Sequence, residues 1–180
     1  MKKYNLSPLM LMLMAAFIII DGSTFALYSV LFALWHELWH IIILKLNKRE
    51  FVFYTRSHGL ELKTGLLSYK EDAVVALAGP VSSLLLGACL LPFDTLFALC
   101  NFAIGVLNLL PVWPLDGARA LLSILSIKKD RCYATRIIRI LSYIFLLPLC
   151  FLSVIILIKT GYNLSLLIVC VFLVIGVKNL

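Results

Sequence analysis

Charged residues are scarce in this chain, and long stretches contain almost no polar group. Only 14% of its 180 residues are charged and 63% are hydrophobic, whereas ordinary soluble domains are roughly 45–50% apolar. A water-soluble core could not bury so much apolar surface, so the composition excludes a soluble globular protein. It predicts an all-α, polytopic membrane protein.

The cysteines lack the spacing of a metal site or a disulfide framework. No two form a CxxC pair, and their number is odd. They are scattered along the chain as Cys89, Cys100, Cys132, Cys150 and Cys170. Such residues behave as small buried hydrophobic side chains, so neither a disulfide-stabilised fold nor a thiolate metal site is predicted.

Basic residues are in excess, with a formal net charge of +7, but they lack a nucleic-acid-binding pattern. Lys and Arg occur in small groups beside apolar runs and form no patch interleaved with aromatic residues. Groups of this kind are topology signals and contacts to anionic lipid. The predicted partner is therefore the lipid bilayer and not nucleic acid.

Six apolar segments predict about six transmembrane helices, since a hydrocarbon core needs roughly 17–25 helical residues. The segments are about 5–20, 24–44, 73–91, 95–112, 137–158 and 163–177. The first has no small-residue cleavage site before Asp21, so we expect a retained span and not a signal peptide. All six are expected to form one domain, residues 1–180.

The basic residues predict the orientation of these spans. With both termini in the cytoplasm, every one of the 16 Lys and Arg residues except Lys159 lies in or beside a cytoplasmic stretch. These stretches are 2–4, 45–72, 113–136 and 178–180. This positive-inside distribution predicts a multi-pass protein, typical of a bacterial plasma membrane, with cytoplasmic termini.

One segment outside the apolar runs has the period of a β-strand. Between residues 50 and 64, apolar and polar side chains alternate on both sides of "RSHG". The pattern predicts a short cytoplasmic or interfacial hairpin that turns near Gly59, with an ordinary interfacial loop as the alternative. His58 lies in this hairpin, and we expect it on the surface.

Two of the three histidines flank a glutamate inside the second apolar segment, in the sequence HELWH. On a helix, His36 and His40 lie on one face about 6 Å apart along the axis, so both imidazoles can reach one zinc ion. Glu37 is rotated by about 100° from His36 and can act as general base towards a water molecule there. One buried histidine is often structural, but this group at membrane depth indicates a function.

A catalytic zinc ion usually has three protein ligands, so a further polar side chain is expected at membrane depth. Asp116, in "NLLPVWPLDGAR", is the best candidate. Pro111 and Pro114 interrupt the helix and Gly117 permits a tight turn. An unwound stretch in a membrane lines a cavity or is buried in protein. Taken alone, Asp116 could equally cap a cytoplasmic helix, but beside the histidine pair the sequence favours a ligand.

Three motifs together resemble the site-2 protease family (M50) of intramembrane zinc metalloproteases. They are HELWH, LAGPVSS at 77–83 and NLLPVWPLDG at 108–117, and the resemblance covers residues 24–120. Within the family, the chain is similar to the compact form with a hairpin between spans two and three that is found in sporulation. The resemblance implies hydrolysis of peptide bonds in or next to transmembrane segments of membrane-anchored proteins, such as a tethered sigma factor or anti-sigma factor.

The same resemblance assigns roles residue by residue. It implies one zinc ion held by His36, His40 and Asp116, with Glu37 as general base. Asn108 matches an asparagine upstream of the family's prolines, which is expected to hold the substrate backbone or the developing oxyanion. The hairpin is expected to offer an edge to a substrate strand.

The third landmark region both matches and departs from the family. Gly79 and Pro80 match the bend in span three, but Ser83 stands where the family often has asparagine, so a different supporting contact is expected. The sequence contains neither nucleotide-sensing repeats nor a PDZ domain, so control by ATP through such a domain is not expected. Control by an inhibitory or scaffolding membrane partner stays open.

Two other functions fit part of the pattern. A divalent metal transporter would use imidazoles and a carboxylate within spans, but it leaves Glu37 without a task. An inactive scaffold that binds client helices would keep the fold but would not need the complete motif. The sequence therefore favours the enzyme.

Overall fold

The computed structural model of the chain describes residues 3–5, 24–48, 51–56, 59–64, 67–160 and 165–180. The predicted first span, 5–20, and His58 lie outside the described residues, apart from Asn5. The described elements, in chain order, are β1 Lys3–Asn5, α1 Thr24–Leu46, β2 Phe51–Arg56, β3 Gly59–Thr64, α2 Tyr69–Leu90, α3 Thr95–Leu109, α4 Asp116–Lys128, α5 Arg131–Thr160 and α6 Ser165–Lys178.

The segment with alternating side chains contains the strands β2 and β3, which pair antiparallel with Phe53 opposite Leu62. β1 pairs antiparallel with the other edge of β3, with Tyr4 opposite Leu62. The strand order is therefore β1-β3-β2. β3 is central, and β1 and β2 are the outer strands of this small sheet.

Three of the described helices are long and apolar enough to cross a membrane, over Tyr28–Leu46, Tyr69–Leu90 and Arg131–Lys159. Two further predicted spans correspond to shorter apolar helices, Thr95–Leu109 and Leu166–Lys178. The 15 residues of α3 extend only about 22 Å, less than a typical hydrocarbon core of about 30 Å.

Helix boundaries differ from the predicted spans where polar groups satisfy the backbone. α2 begins at Tyr69, four residues before the predicted 73, because Ser68 and Glu71 form a capping box in which each side chain bonds the other's backbone N–H. α3 ends at Leu109, before the predicted 112. Pro111 causes this early end, since a proline disfavours helical conformation in the residue before it.

The described residues group into two compact units, Met1–Val106 and Leu107–Leu180. In the first unit, α1 and α2 pack through a cluster of Leu44, Leu67 and Val75. α3 contacts α1 through Phe97, whose ring centroid lies 4.5 Å from that of Tyr28. It contacts α2 at Gly87, where a Cβ would stand 3.1 Å from the Ala98 carbonyl oxygen.

In α1 the buried face is more polar than the exposed face. The buried side chains recur at helical spacing and include His36 and His40, whereas Leu31, Leu34 and Leu38 are exposed. A water-soluble helix has the opposite arrangement. Large apolar side chains on the outer surface are what lipid requires, so the packing agrees with the composition.

The second unit consists of α4, α5, α6 and the loop that precedes α4. Residues 110–115, which we call the proline loop, connect α3 to α4 and contain a cis peptide bond between Trp113 and Pro114. Val112 of this loop is fully buried in a cluster with Leu146, Leu173 and Val177. α5 and α6 therefore support the proline loop directly.

Candidate metal centre

His36 and His40 lie one turn apart on the buried face of α1, with 1% and 9% of their surfaces exposed. The i, i+4 spacing of HELWH stacks the two side chains on one side of the helix, as the sequence predicts. Their ring centroids are 5.1 Å apart and their planes are nearly perpendicular, at 73°. Both rings point towards α2.

The Nδ1 atoms of both imidazoles are hydrogen-bonded to α2. His40 Nδ1 lies 2.7 Å from the Val75 carbonyl oxygen. Because a carbonyl can only accept, His40 carries its proton on Nδ1 and its Nε2 atom has a lone pair. His36 Nδ1 lies 3.0 Å from the Ser83 hydroxyl, and an Nδ1–H donated there leaves the Nε2 atom of His36 in the same state.

The two Nε2 atoms face each other at 3.4 Å. Two lone pairs at this separation repel unless a proton or a cation lies between them. Two nitrogens bonded to a tetrahedral zinc ion at about 2.0–2.1 Å lie about 3.3–3.4 Å apart. The donor set and its geometry therefore fit zinc.

Gly79 of α2 leaves the space in front of this pair open. A Cβ at this position would collide with His40 Nε2 and stand 2.6 Å from His36 Nε2. Any side chain at position 79 would thus occupy the region at which both lone pairs are directed. Glycine is required here for close approach, not for an unusual backbone conformation.

Glu37 and Asn108 each lie in the half of a helix that the sequence predicts to be nearer the cytoplasm. Glu37 follows His36 directly on α1 and is half-buried. Asn108 is buried, with 7% of its surface exposed, and is the last residue but one of α3. The roles of Glu37 as a base and of Asn108 as a substrate-supporting amide stay predictions.

Asp116 is the first residue of α4 and is half-buried. The N-cap position is Leu115, which makes no side-chain capping bond, so Asp116 does not occupy the cap position considered as its alternative. A carboxylate in the first turn is stabilised by the positive end of the helix dipole. Gly117 lets the chain pass close to α3, because its Cβ would stand 2.8 Å from Leu109 Cα.

The three ligands that the sequence predicts are divided between the two units: His36 and His40 lie on α1 in the first unit, and Asp116 begins α4 in the second. Two imidazoles and one carboxylate are a donor set typical of catalytic zinc, which keeps a fourth position for water or substrate. That these three residues bind one zinc ion stays a prediction.

Sequence reasoning missed the contacts that orient the histidines. The Val75 carbonyl could not be found from residue types, because any residue supplies a carbonyl and only helix packing selects this one. Ser83 did give a signal, since it replaces the family's frequent asparagine. The structure identifies its contact as His36 Nδ1.

Comparisons with known proteins agree with the fold and with part of the motif set. Residues 90–152 match the model of Peptidase family M50, a range that includes the proline loop and Asp116. Among solved structures, the chain is similar to the site-2 protease from Methanocaldococcus jannaschii, with a TM-score of 0.64 and 22% identity over 95% of this chain and 85% of that one. A search of the curated proteins found no match.

Proposed function

We propose that the chain is an integral membrane metalloendopeptidase of the site-2 protease type, a proposal supported by its match to the model of Peptidase family M50 and by its likeness to a solved site-2 protease. One zinc ion is held by His36, His40 and Asp116, and Glu37 is the general base. The observation that carries the proposal is the pair of Nε2 atoms 3.4 Å apart, each on a ring anchored through Nδ1.

When bound, zinc would supply Lewis-acid chemistry that polarises the scissile carbonyl. The imidazoles are oriented before any ligand arrives, because the Ser83 hydroxyl and the Val75 carbonyl fix both rings. Preorganised ligands lose little conformational freedom on binding. The burial of both imidazoles also limits their contact with bulk water.

Glu37 accepts the proton of the attacking water and delivers it to the leaving amine. It is rotated by about 100° from His36 around α1, so its carboxylate lies beside the histidine face without being part of it. Proton transfer by a positioned side chain contributes roughly 10²–10⁴-fold to rate. Asn108 supports the reaction by donating its amide to the substrate backbone or the developing oxyanion.

The proposed substrate is a transmembrane segment of a membrane-anchored protein. A helix conceals its carbonyls in its own hydrogen bonds, so the segment must partly unwind before it is cleaved. β2 is an outer strand of the sheet and has an edge at which an extended segment can add as a further strand. We place this step on the cytoplasmic side, and a tethered sigma factor or anti-sigma factor is one substrate of this kind.

The Glu37→Gln variant tests the proposal. It removes the base and keeps the side-chain shape, so we expect cleavage of a membrane-anchored reporter library by detergent-solubilised protein to fall at least 100-fold, as expected on loss of a general base. Zinc content, measured by elemental analysis, should equal that of the wild type. Glu71→Gln is the matched control, because glutamine still serves in the α2 capping box.

The same preparations test the other two functions. Zinc flux into liposomes that survives Glu37→Gln would instead support a transporter. A zinc-loaded wild type that binds client helices but cleaves none would support a scaffold. Full cleavage by the Glu37→Gln variant would contradict the assignment of the base.

A further inference from the structure

The proline loop has few backbone hydrogen bonds of its own. Pro111 and Pro114 have no N–H, and the Leu115 N–H reaches back to the Val112 carbonyl at 2.8 Å. The Trp113 N–H is instead donated to a side chain of another helix, the hydroxyl of Ser142 in α5, at 3.0 Å. This contact joins residues 29 positions apart in the chain.

Ser142 is fully buried and contacts the loop at two points. Its hydroxyl oxygen lies 3.3 Å from the Pro111 carbonyl and 2.7 Å from the carbonyl of Ile138 in its own helix. A hydroxyl has one proton to donate and two lone pairs to accept with. It therefore accepts from Trp113 while its proton is directed at Ile138 or Pro111.

The surroundings of this contact are apolar. Val112 is packed among Leu146, Leu173 and Val177. Gly176 of α6 lies so close to the loop that an added Cβ would stand 2.6 Å from Pro114 Cδ. A backbone N–H that loses its partner beside such apolar groups is left unsatisfied, which costs free energy. The Trp113 N–H thus depends on Ser142.

We propose that Ser142 is a positioning residue for Asp116. The loop that its hydroxyl fixes ends at Leu115, directly before the carboxylate, so a displaced Trp113 moves the start of α4. This inference rests on the proposed role of Asp116 as a zinc ligand. Ser142 acts through the loop backbone and contacts neither the metal nor the substrate.

The test compares Ser142→Ala with Ser153→Ala. Ser153 lies on the same helix and is equally buried. Its hydroxyl donates to the Cys150 carbonyl one turn earlier, at 2.7 Å, and also contacts the Cys170 thiol of α6, and neither partner belongs to the proline loop. Loss of a residue that orients a metal ligand typically weakens metal affinity about 10–100-fold. We expect this loss in Ser142→Ala, measured by competition with a chelator, and less than about 3-fold in Ser153→Ala.

Hydrogen exchange of the zinc-free protein gives a second readout that does not depend on metal. The Trp113 amide should exchange faster in Ser142→Ala and at the wild-type rate in Ser153→Ala. Should Ser142→Ala fail to fold, the pair Ser142→Thr and Ser142→Val separates hydroxyl from shape, because the two side chains have the same size. Threonine should retain zinc affinity and a slowly exchanging Trp113 amide, and valine should lose both.

A variant that lacks Asp116 distinguishes this inference from the proposed function. In an Asp116→Ala background, Ser142→Ala should cause no further loss of zinc affinity, which a general effect on stability would not explain. Wild-type affinity in Ser142→Ala, beside weakened affinity in Asp116→Ala, would overturn the role of Ser142 alone. Wild-type affinity in Asp116→Ala would overturn the ligand assignment itself, and with it the inference.

Discussion

Gly79 lies on α2 opposite the two Nε2 atoms of the histidine pair, where an added Cβ would stand 2.6 Å from His36 Nε2. Gly79→Ala should therefore abolish zinc binding, because the methyl group fills the space between the lone pairs. Without zinc the variant should be less stable than the wild type, because the overlap of the methyl group with both imidazoles costs about 1–3 kcal/mol, more than the about 0.5–1 kcal/mol by which alanine is favoured over glycine in a helix. Elemental analysis and thermal unfolding of the zinc-free protein measure the two effects.

The matched control for this substitution is Gly87→Ala, two turns along the same helix. There a Cβ would stand 3.1 Å from the Ala98 carbonyl and from the Phe102 ring, and it does not reach the histidines. We expect this control to retain zinc. Full zinc content in Gly79→Ala would show that the metal does not lie between the two Nε2 atoms.

Ser83 gives a second prediction at the level of one side chain. Ser83→Ala removes the hydroxyl at 3.0 Å from His36 Nδ1, so the ring loses the contact that fixes its orientation. Zinc affinity should fall about 10–100-fold, as is typical when such a partner is removed. Ser82→Ala is the control, because the neighbouring Ser82 hydroxyl bonds only the Gly79 carbonyl in the described contacts, at 2.7 Å. Equal affinities of the two variants would contradict the role of Ser83.

The sequence predicted residues of the metal centre to the extent that local geometry determines them. HELWH is sufficient for the histidine pair, because a spacing of four residues on any helix stacks two side chains. Ser83 and the Val75 carbonyl depend on the register in which α2 packs against α1, which no local pattern encodes. The same is true of Ser142, whose partner Trp113 is 29 residues away.

The ends of α2 and α3 show which local signals determine where a helix begins and ends. The capping box of Ser68 and Glu71 extends α2 beyond its apolar run, with the Ser68 N–H donated to the Glu71 carboxylate at 2.8 Å. Hydropathy alone places the start at 73 because it does not register polar residues that stabilise a helix. Pro111 has the opposite effect on α3, which ends before its apolar run does.

Ser68→Ala should destabilise this end of α2. The substitution removes the Ser68 hydroxyl, which accepts a hydrogen bond from the Glu71 N–H at 3.3 Å. Loss of such a cap costs about 1 kcal/mol. Thermal unfolding in detergent should show a lower midpoint for Ser68→Ala than for Ser68→Thr, which retains a capping hydroxyl. An unchanged midpoint in Ser68→Ala would mean that packing, and not the cap, determines where α2 begins.

In the whole molecule, the described helices bury polar groups and expose apolar ones. Ser142 and Ser153 are fully buried in α5, whereas Leu147 and Phe151 of the same helix are 71% and 70% exposed. Composition predicted the exposed apolar surface, because only a lipid environment accepts so large an apolar area. It could not determine the number of spans, because α3 and α6 are short helices whose length alone does not distinguish a span from a buried helix.

The charge distribution predicts the orientation of the spans, and two positions outside the helix cores can test this prediction. Cys132 is exposed at the start of α5, in the stretch predicted to be cytoplasmic. Phe93, 85% exposed in the turn between α2 and α3, is predicted to lie on the outer side. In a variant whose only cysteine is Cys132, a membrane-impermeant maleimide should react only in inside-out vesicles. In a variant whose only cysteine is the one introduced by Phe93→Cys, it should react only in intact cells. The reason for this expectation is that the Lys and Arg groups next to Cys132 resist translocation. Labelling of both positions from one side would mean that an even number of spans separates them and that the predicted topology is wrong.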